Sequence, residues 1–302
     1  MENEKKLSEI IKNKYLENDE FISKEISNIE KLLDNFKQNG LFIITYEAFF
    51  CGKINEIYNI LSKLNISSIK LVYIPKLTEL ELINFYRYHN IKQGIHVNQN
   101  SFHNRQIPSI GWPFIRERFS HPMLLCFAEG SSNIIEDVLT CKGNSSSKLC
   151  NDSQIRKQAI NQAFSLFHSS DDNYAMLREL MVLLGKEDFD SFIKSSEAIS
   201  FSNFYHILKE YEHLVNVHCN TSCEFIKLMN DRINYLCSGL FFENKYIKRL
   251  KYIKKALMNS DFTEKERDIF FDLEELGIFS NSLETTITFS SLYLGEEINK
   301  NE

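Results

Sequence analysis

The residues best suited to chemistry sit at the ends of two short apolar runs. Leu41–Thr45 leads into Thr45-Tyr46-Glu47, which offers a hydroxyl and a carboxylate, and Ile69–Ile74 leads into Pro75-Lys76, which offers a cation. Asn84, an amide, follows Lys76 by eight residues. None of the ten glycines falls in G-x-x-x-x-G-K-[ST] or G-x-G-x-x-G. That speaks against an ordinary nucleotide hydrolase or dinucleotide enzyme, both of which need such a turn to bring backbone amides against phosphate. No Ser lies in G-x-S-x-G, the elbow that exposes a nucleophile.

Histidine and cysteine spacing predicts no metal site. His218-Cys219 and Cys223 fall one helical turn apart, but Cys141 and Cys150 are too widely spaced to make the second close pair that structural zinc takes. His89, His96 and His103 recur at seven-residue intervals in an Asn-rich stretch with little helical pattern, and read as solvated loop histidines. The stretch Lys245–Lys255, KYIKRLKYIKK, is an amphipathic helix with a basic face, either solvated or set against an acidic protein partner.

The two tips need strands to position them. Leu41–Thr45 and Ile69–Ile74 are short apolar runs without strict alternation, as in strands covered on both faces of a parallel sheet. Between them Ile54, Ile57, Leu61 and Leu64 recur at helical spacing, giving the crossover of a right-handed βαβ unit. Met123–Phe127 reads as a third strand and Ile134–Leu139 as a following helix. The predicted fold is α/β, a small parallel sheet of P-loop-like type with strands at 41–45, 69–74 and 123–127, followed by a helical half. In such sheets ligands bind beyond the carboxyl ends of the strands, where both tips emerge.

Polar helices precede the first strand over residues 3–38, and an irregular loop rich in Asn, His, Gly and Pro spans 93–113. The polar linker 142–153, KGNSSSKLCNDS, predicts a boundary between an α/β domain at 1–141 and a mostly helical region with a C-terminal extension at 154–302. Helices are predicted at 154–168, 172–185, 187–195, 202–218, 222–237, 244–259 and 263–276, with a strand or partner-binding tail at 285–294.

Composition bounds the function. The 302 residues are 43% hydrophobic and 25% charged, with a formal net charge of −6, so there is no general electrostatic attraction to nucleic acid or anionic membranes. Seven irregularly spaced cysteines are not a secreted disulfide framework. The charged N-terminus has no signal-peptide core, and no run of about 18 apolar residues predicts a membrane span. A cytoplasmic protein is expected.

The order of these blocks resembles the bacterial sulfotransferases, whose P-loop-like fold uses the donor 3′-phosphoadenosine 5′-phosphosulfate. Ile43-Ile44-Thr45-Tyr46-Glu47 is similar to the family's Ser-Ser-Glu tip. Lys76 stands in its Arg position, Asn84 in its Ser position and Tyr86 after it. Trp112–Phe127, Ile134–Leu139 and NDRINYLCSGLFFE near residue 230 resemble later family segments. The family's opening phosphosulfate-binding loop has no counterpart in residues 1–38. The resemblance implies a sulfotransferase-like transferase, or a degenerate descendant, moving a sulfonate to a hydroxyl of a carbohydrate or small molecule. Glu47 would be the general base, with Lys76 and Asn84 on the donor's 3′-phosphate. Alternatively, the chain is a non-catalytic binding protein that keeps the fold.

Overall fold

The computed structural model describes residues 32–78, 81–82, 84–86, 112–159, 161–195 and 197–215. It also describes Ile29 and helical positions at 231, 234–235, 237–238, 247–248, 251–252, 255 and 290. The expected histidine loop (His89, His96, His103) and the His218-Cys219-Cys223 cluster lie outside these residues, as does most of the basic helix 245–255. Of the 285–294 stretch, Ser290 is described, and it is helical and buried.

Five strands form one sheet: β1 (Asn39–Ile44), β2 (Ile66–Ile74), β3 (Met123–Gly130), β4 (Phe167–Ser169) and β5 (Ile199–Ser200). The spatial order is β4-β1-β3-β2-β5. Every neighbouring pair is antiparallel. This corrects the expected parallel sheet. Strands β1 and β2 do run in the same direction, since both oppose β3, but β3 lies between them. Leu41 to Ile44 face Phe127 to Leu124, and Val72 faces Leu125 from the other side. The four-strand order 4-1-3-2 is that of the split βαβ, or ferredoxin-like, arrangement, with β5 added at one edge.

The first apolar run was a true sign of burial, whereas the second is fully buried only at Ile69 and Ile74 and leaves Tyr73 exposed; neither was a sign of strand direction. Leu41, Phe42, Ile43 and Ile44 have no solvent exposure, and each such burial is worth about 1.5–3 kcal/mol. One face carries Leu41, Ile43, Leu125 and Phe127 against Met176, Leu177 and Leu180 of α5 (Asn173–Leu184). The other carries Phe42, Ile44, Leu124 and Cys126 against Ile54, Ile57, Ile134, Val138 and Phe204. Those come from α2 (Ile54–Leu61), α4 (Ile134–Lys142) and α7 (Phe201–Leu214). With helices on both faces, an antiparallel sheet gives its strands the continuous apolar runs usual in parallel sheets.

The remaining helices are α1 (Tyr46–Phe50), α3 (Trp112–Phe119) and α6 (Lys186–Lys194). Residues on both sides of the 142–153 linker enter the same sheet, β1 to β3 before it and β4 and β5 after it. Residues 154–168, expected as helix, instead hold a short 3-10 turn at Ile155–Gln158 and strand β4. Glycine is required at one close approach: a Cβ on Gly130 would stand 2.3 Å from the Asn65 carbonyl oxygen where β3 ends against the start of β2. Among the described residues, no helix is long and apolar enough to cross a membrane.

Candidate functional site

The carboxyl ends of β1 and β2 share one edge of the sheet with the amino ends of β3 and β4, because Ile44 is level with Leu124 and Phe167. Buried polar side chains gather there. His168 is the middle residue of β4 and pairs with Ile43. The chain then turns through Asp171 and Asp172, and the Asp172 carboxylate accepts from the Ala175 amide at 2.7 Å to start α5. Two turns along, α5 brings Glu179 back to β4. His168 Nε2 lies 3.0 Å from Glu179 Oε2, and the Ser170 hydroxyl donates to the same oxygen at 2.7 Å.

An acceptor-only carboxylate assigns the proton to Nε2, leaving the lone pair on Nδ1. Burial lowers the His168 pKa, as do Lys142 and Arg118, while the charge and hydrogen bond of Glu179 oppose the fall. The net direction is downward, so the ring is neutral at pH 7. Phe85 and Tyr86 pack on it, with ring centroids 5.0 and 6.2 Å away. Arg178, beside Glu179 on α5, donates to the carbonyls of Phe85 (3.1 Å) and Asn84, which holds that aromatic pair in place. Burial pushes the Tyr86 hydroxyl up to about 12.

Three cations surround this centre. Lys142, the last residue of α4, donates to the Ser169 carbonyl at 3.0 Å and pairs with Asp171 at 3.5 Å. Its pKa is lowered by burial and then by Arg156. Arg156 is pushed down to about 10 by burial and by Arg118, and stays charged at neutral pH. Its Nε is buried with no hydrogen-bond partner among the described residues. Like charges gathered in a dry site with a spare donor suit an anion.

Arg118 closes the cluster. Its Nε lies 2.6 Å from Glu47 Oε1 as an ion pair, and Nη2 donates to Thr45 Oγ1 at 3.1 Å. Glu47 Oε1 also accepts from the Leu166 amide at 3.1 Å, and Thr45 N donates to the Leu166 carbonyl at 3.2 Å. Leu166 has φ of 66°, a left-handed conformation that costs a leucine on the order of 1–2 kcal/mol. This strained residue sits two positions before His168.

The tips expected from the sequence thus have different surroundings. Thr45 and Glu47 belong to the buried cluster. Lys76 is exposed on the segment after β2, and Asn84 is half-buried, with its carbonyl held by Arg178. His168, Glu179, Arg118, Arg156 and Lys142 were not singled out from the sequence. A three-residue strand shows no periodicity. The usable signal was Arg178-Glu179 interrupting the apolar run of YAMLRELMVLL, since charged residues on a buried helix need partners. Among the described residues there is no group of three or more potential metal ligands. Cys126, Cys141, Cys150 and Cys237 are free thiols.

The sequence matches no protein-family model and has no significant match to a curated protein. Similar solved structures include three nucleoside diphosphate kinases. That of Aquifex aeolicus is 19% identical, covering 50% of this chain and 97% of its own, with a TM-score of 0.35. That of Encephalitozoon cuniculi is 12% identical, covering 56% and 99%, with a TM-score of 0.41. That of Pyrobaculum aerophilum is 19% identical, covering 50% and 98%, with a TM-score of 0.37. At such TM-scores these likenesses transfer no activity to the present chain.

The resemblance to bacterial sulfotransferases does not hold. Those enzymes build their donor site on a parallel P-loop-like sheet, and this sheet is antiparallel throughout. The expected sulfonate transfer and its donor, 3′-phosphoadenosine 5′-phosphosulfate, fall with the parallel fold.

Proposed function

We propose that the chain is a phosphotransferase that carries the phosphoryl group on His168. The observation that carries this reading is the fixing of Nε2 by Glu179, itself held by Ser170, which leaves Nδ1 of a neutral ring as a nucleophile. Arg118, Arg156 and Lys142 favour a polyanionic donor over a neutral acyl or glycosyl one, because charge spread over phosphoryl oxygens is stabilised by fixed cations.

In the first half-reaction the Nδ1 lone pair attacks phosphorus, and the bond to the leaving oxygen breaks with its electron pair going to that oxygen. The imidazolium so formed keeps its Nε2 proton against Glu179. In the second half an acceptor oxygen attacks phosphorus, the P–N bond breaks and the pair returns to Nδ1. The partner on this reading is a small phosphorylated molecule. The free thiols and ordinary composition are consistent with action in the cytoplasm.

The test is transfer from radiolabelled nucleoside triphosphates and acetyl phosphate to nucleoside diphosphates and sugar phosphates, for the full chain and for His168→Asn. Parallel double-reciprocal lines for the parent and loss of transfer in the variant are expected. Undiminished transfer by His168→Asn would overturn the reading. Absence of transfer with every donor leaves the non-catalytic binding protein as the standing alternative.

A further inference from the structure

Glu47 lies in the first turn of α1, just after β1, pairs with Arg118 and has no exposed surface. One of its oxygens does all the visible binding. Oε1 accepts from the Leu166 amide and pairs with Arg118, while Oε2 is buried without a hydrogen-bond partner among the described residues. Leu166 is a fully buried leucine in left-handed backbone, which it would leave if its N–H were not held. From that residue the chain enters β4 directly, and His168 is the second residue on. Thr45 N–H to the Leu166 carbonyl completes a two-point clasp between the end of β1 and the start of β4.

We propose that Glu47 is a positioning residue for His168, acting through the Leu166 backbone rather than on substrate. By fixing the turn at Leu166 it fixes the depth at which β4 presents the imidazole to Glu179 and the cations. The contact that matters is the acceptor at Oε1, and the negative charge is secondary. The reading rests on the phosphoryl-transfer proposal only for its activity readout, since the orientation of His168 is measurable without turnover.

Two substitutions separate the acceptor from the charge. Glu47→Gln can keep an oxygen at the Oε1 place, with its amide nitrogen at the unpartnered Oε2 place, and so preserves the clasp without the charge. Glu47→Asp keeps the charge but withdraws the oxygen by one methylene from Leu166. In the full chain, nitrogen NMR of the His168 ring reports the tautomer, and phosphohistidine formation from acetyl phosphate reports function.

Glu47→Asp is expected to replace the single Nε2–H tautomer by a mixture and to slow phosphohistidine formation at least 100-fold. Glu47→Gln is expected to keep the parent tautomer and lose less than tenfold. The reverse ranking would assign the role to charge and overturn the proposal, as would equal effects or none. If Glu47→Asp does not fold, amide exchange on the parent decides. A Leu166 amide as protected as that of Ile43 supports the clasp, and a freely exchanging one overturns it. A parent that forms no phosphohistidine but shows the tautomer ranking sinks the transfer reading and leaves the positioning role intact.

Discussion

His168 and Ser170 meet on one oxygen of Glu179: Nε2 of the first lies 3.0 Å from Oε2, and the hydroxyl of the second 2.7 Å. Strand β4 supplies both donors and α5 supplies the acceptor, so strand and helix together fix the imidazole. Because the carboxylate holds the ring in one tautomer, Glu179→Gln should slow phosphohistidine formation about 10- to 100-fold, matching a charge-assisted hydrogen bond of about 1.5–3 kcal/mol. Ser170→Ala should cost less, about fivefold, for a bond worth about 1 kcal/mol. Single-turnover labelling of the two variants checks the order. An equal loss would contradict the leading role given to the carboxylate.

Stability should fall on the acid side of neutrality because of His168. Its pKa is lowered in the folded chain, chiefly by burial, from an unfolded value of about 6.5. Between that value and the folded one the unfolded chain binds more protons, so stability rises with pH across the window and is lost as pH falls through it. Above about pH 6.5 the two states agree and the contribution is flat. Urea melts at stepped pH should show a steeper acid loss in the parent than in His168→Asn. Identical slopes would contradict the assignment.

The Glu47–Arg118 pair should be costly to break from one side. Both side chains are almost wholly buried, and removing one partner of such a pair typically costs about 3–5 kcal/mol. Arg118→Ala is expected to lose stability in that range by denaturant titration. The double change Glu47→Gln with Arg118→Met should recover a large part of it. A strictly additive double variant would show that the two do not interact.

Gly130→Ala should be destabilising without touching the site. Its Cβ would fall 2.3 Å from the Asn65 carbonyl oxygen, so backbone must move, at a cost of about 1–3 kcal/mol. Thermal melts check this, and an unchanged midpoint would contradict the close approach.

The sequence revealed burial better than it revealed direction. Leu41 to Ile44 were legible as a strand covered on both faces, Met123 to Phe127 as a further strand, and Ile54 to Leu61 as a helix against them; Ile69 to Ile74 was legible as a strand but is covered less completely than expected. That β3 inserts between β1 and β2 depends on pairing between Val72 and Leu125, and between Leu41 and Phe127, which no local periodicity encodes. The coverage of the second face comes from Met176, Leu177 and Leu180, which follow Phe127 by 49 residues or more. At the site, Thr45 and Glu47 were legible because they end an apolar run. His168 was hidden because β4 has three residues, too few for an alternating pattern, and its entry depends on the left-handed Leu166.

The most direct measurement is mass spectrometry of the full chain after incubation with excess acetyl phosphate or nucleoside triphosphate, followed by mapping of the modified peptide under alkaline conditions. The account predicts one phosphoryl group per chain, on His168, released by mild acid and by addition of a competent acceptor, and absent from His168→Asn. A phosphoryl group on another residue that persists in acid, or an unmodified His168 during ongoing transfer, would contradict it.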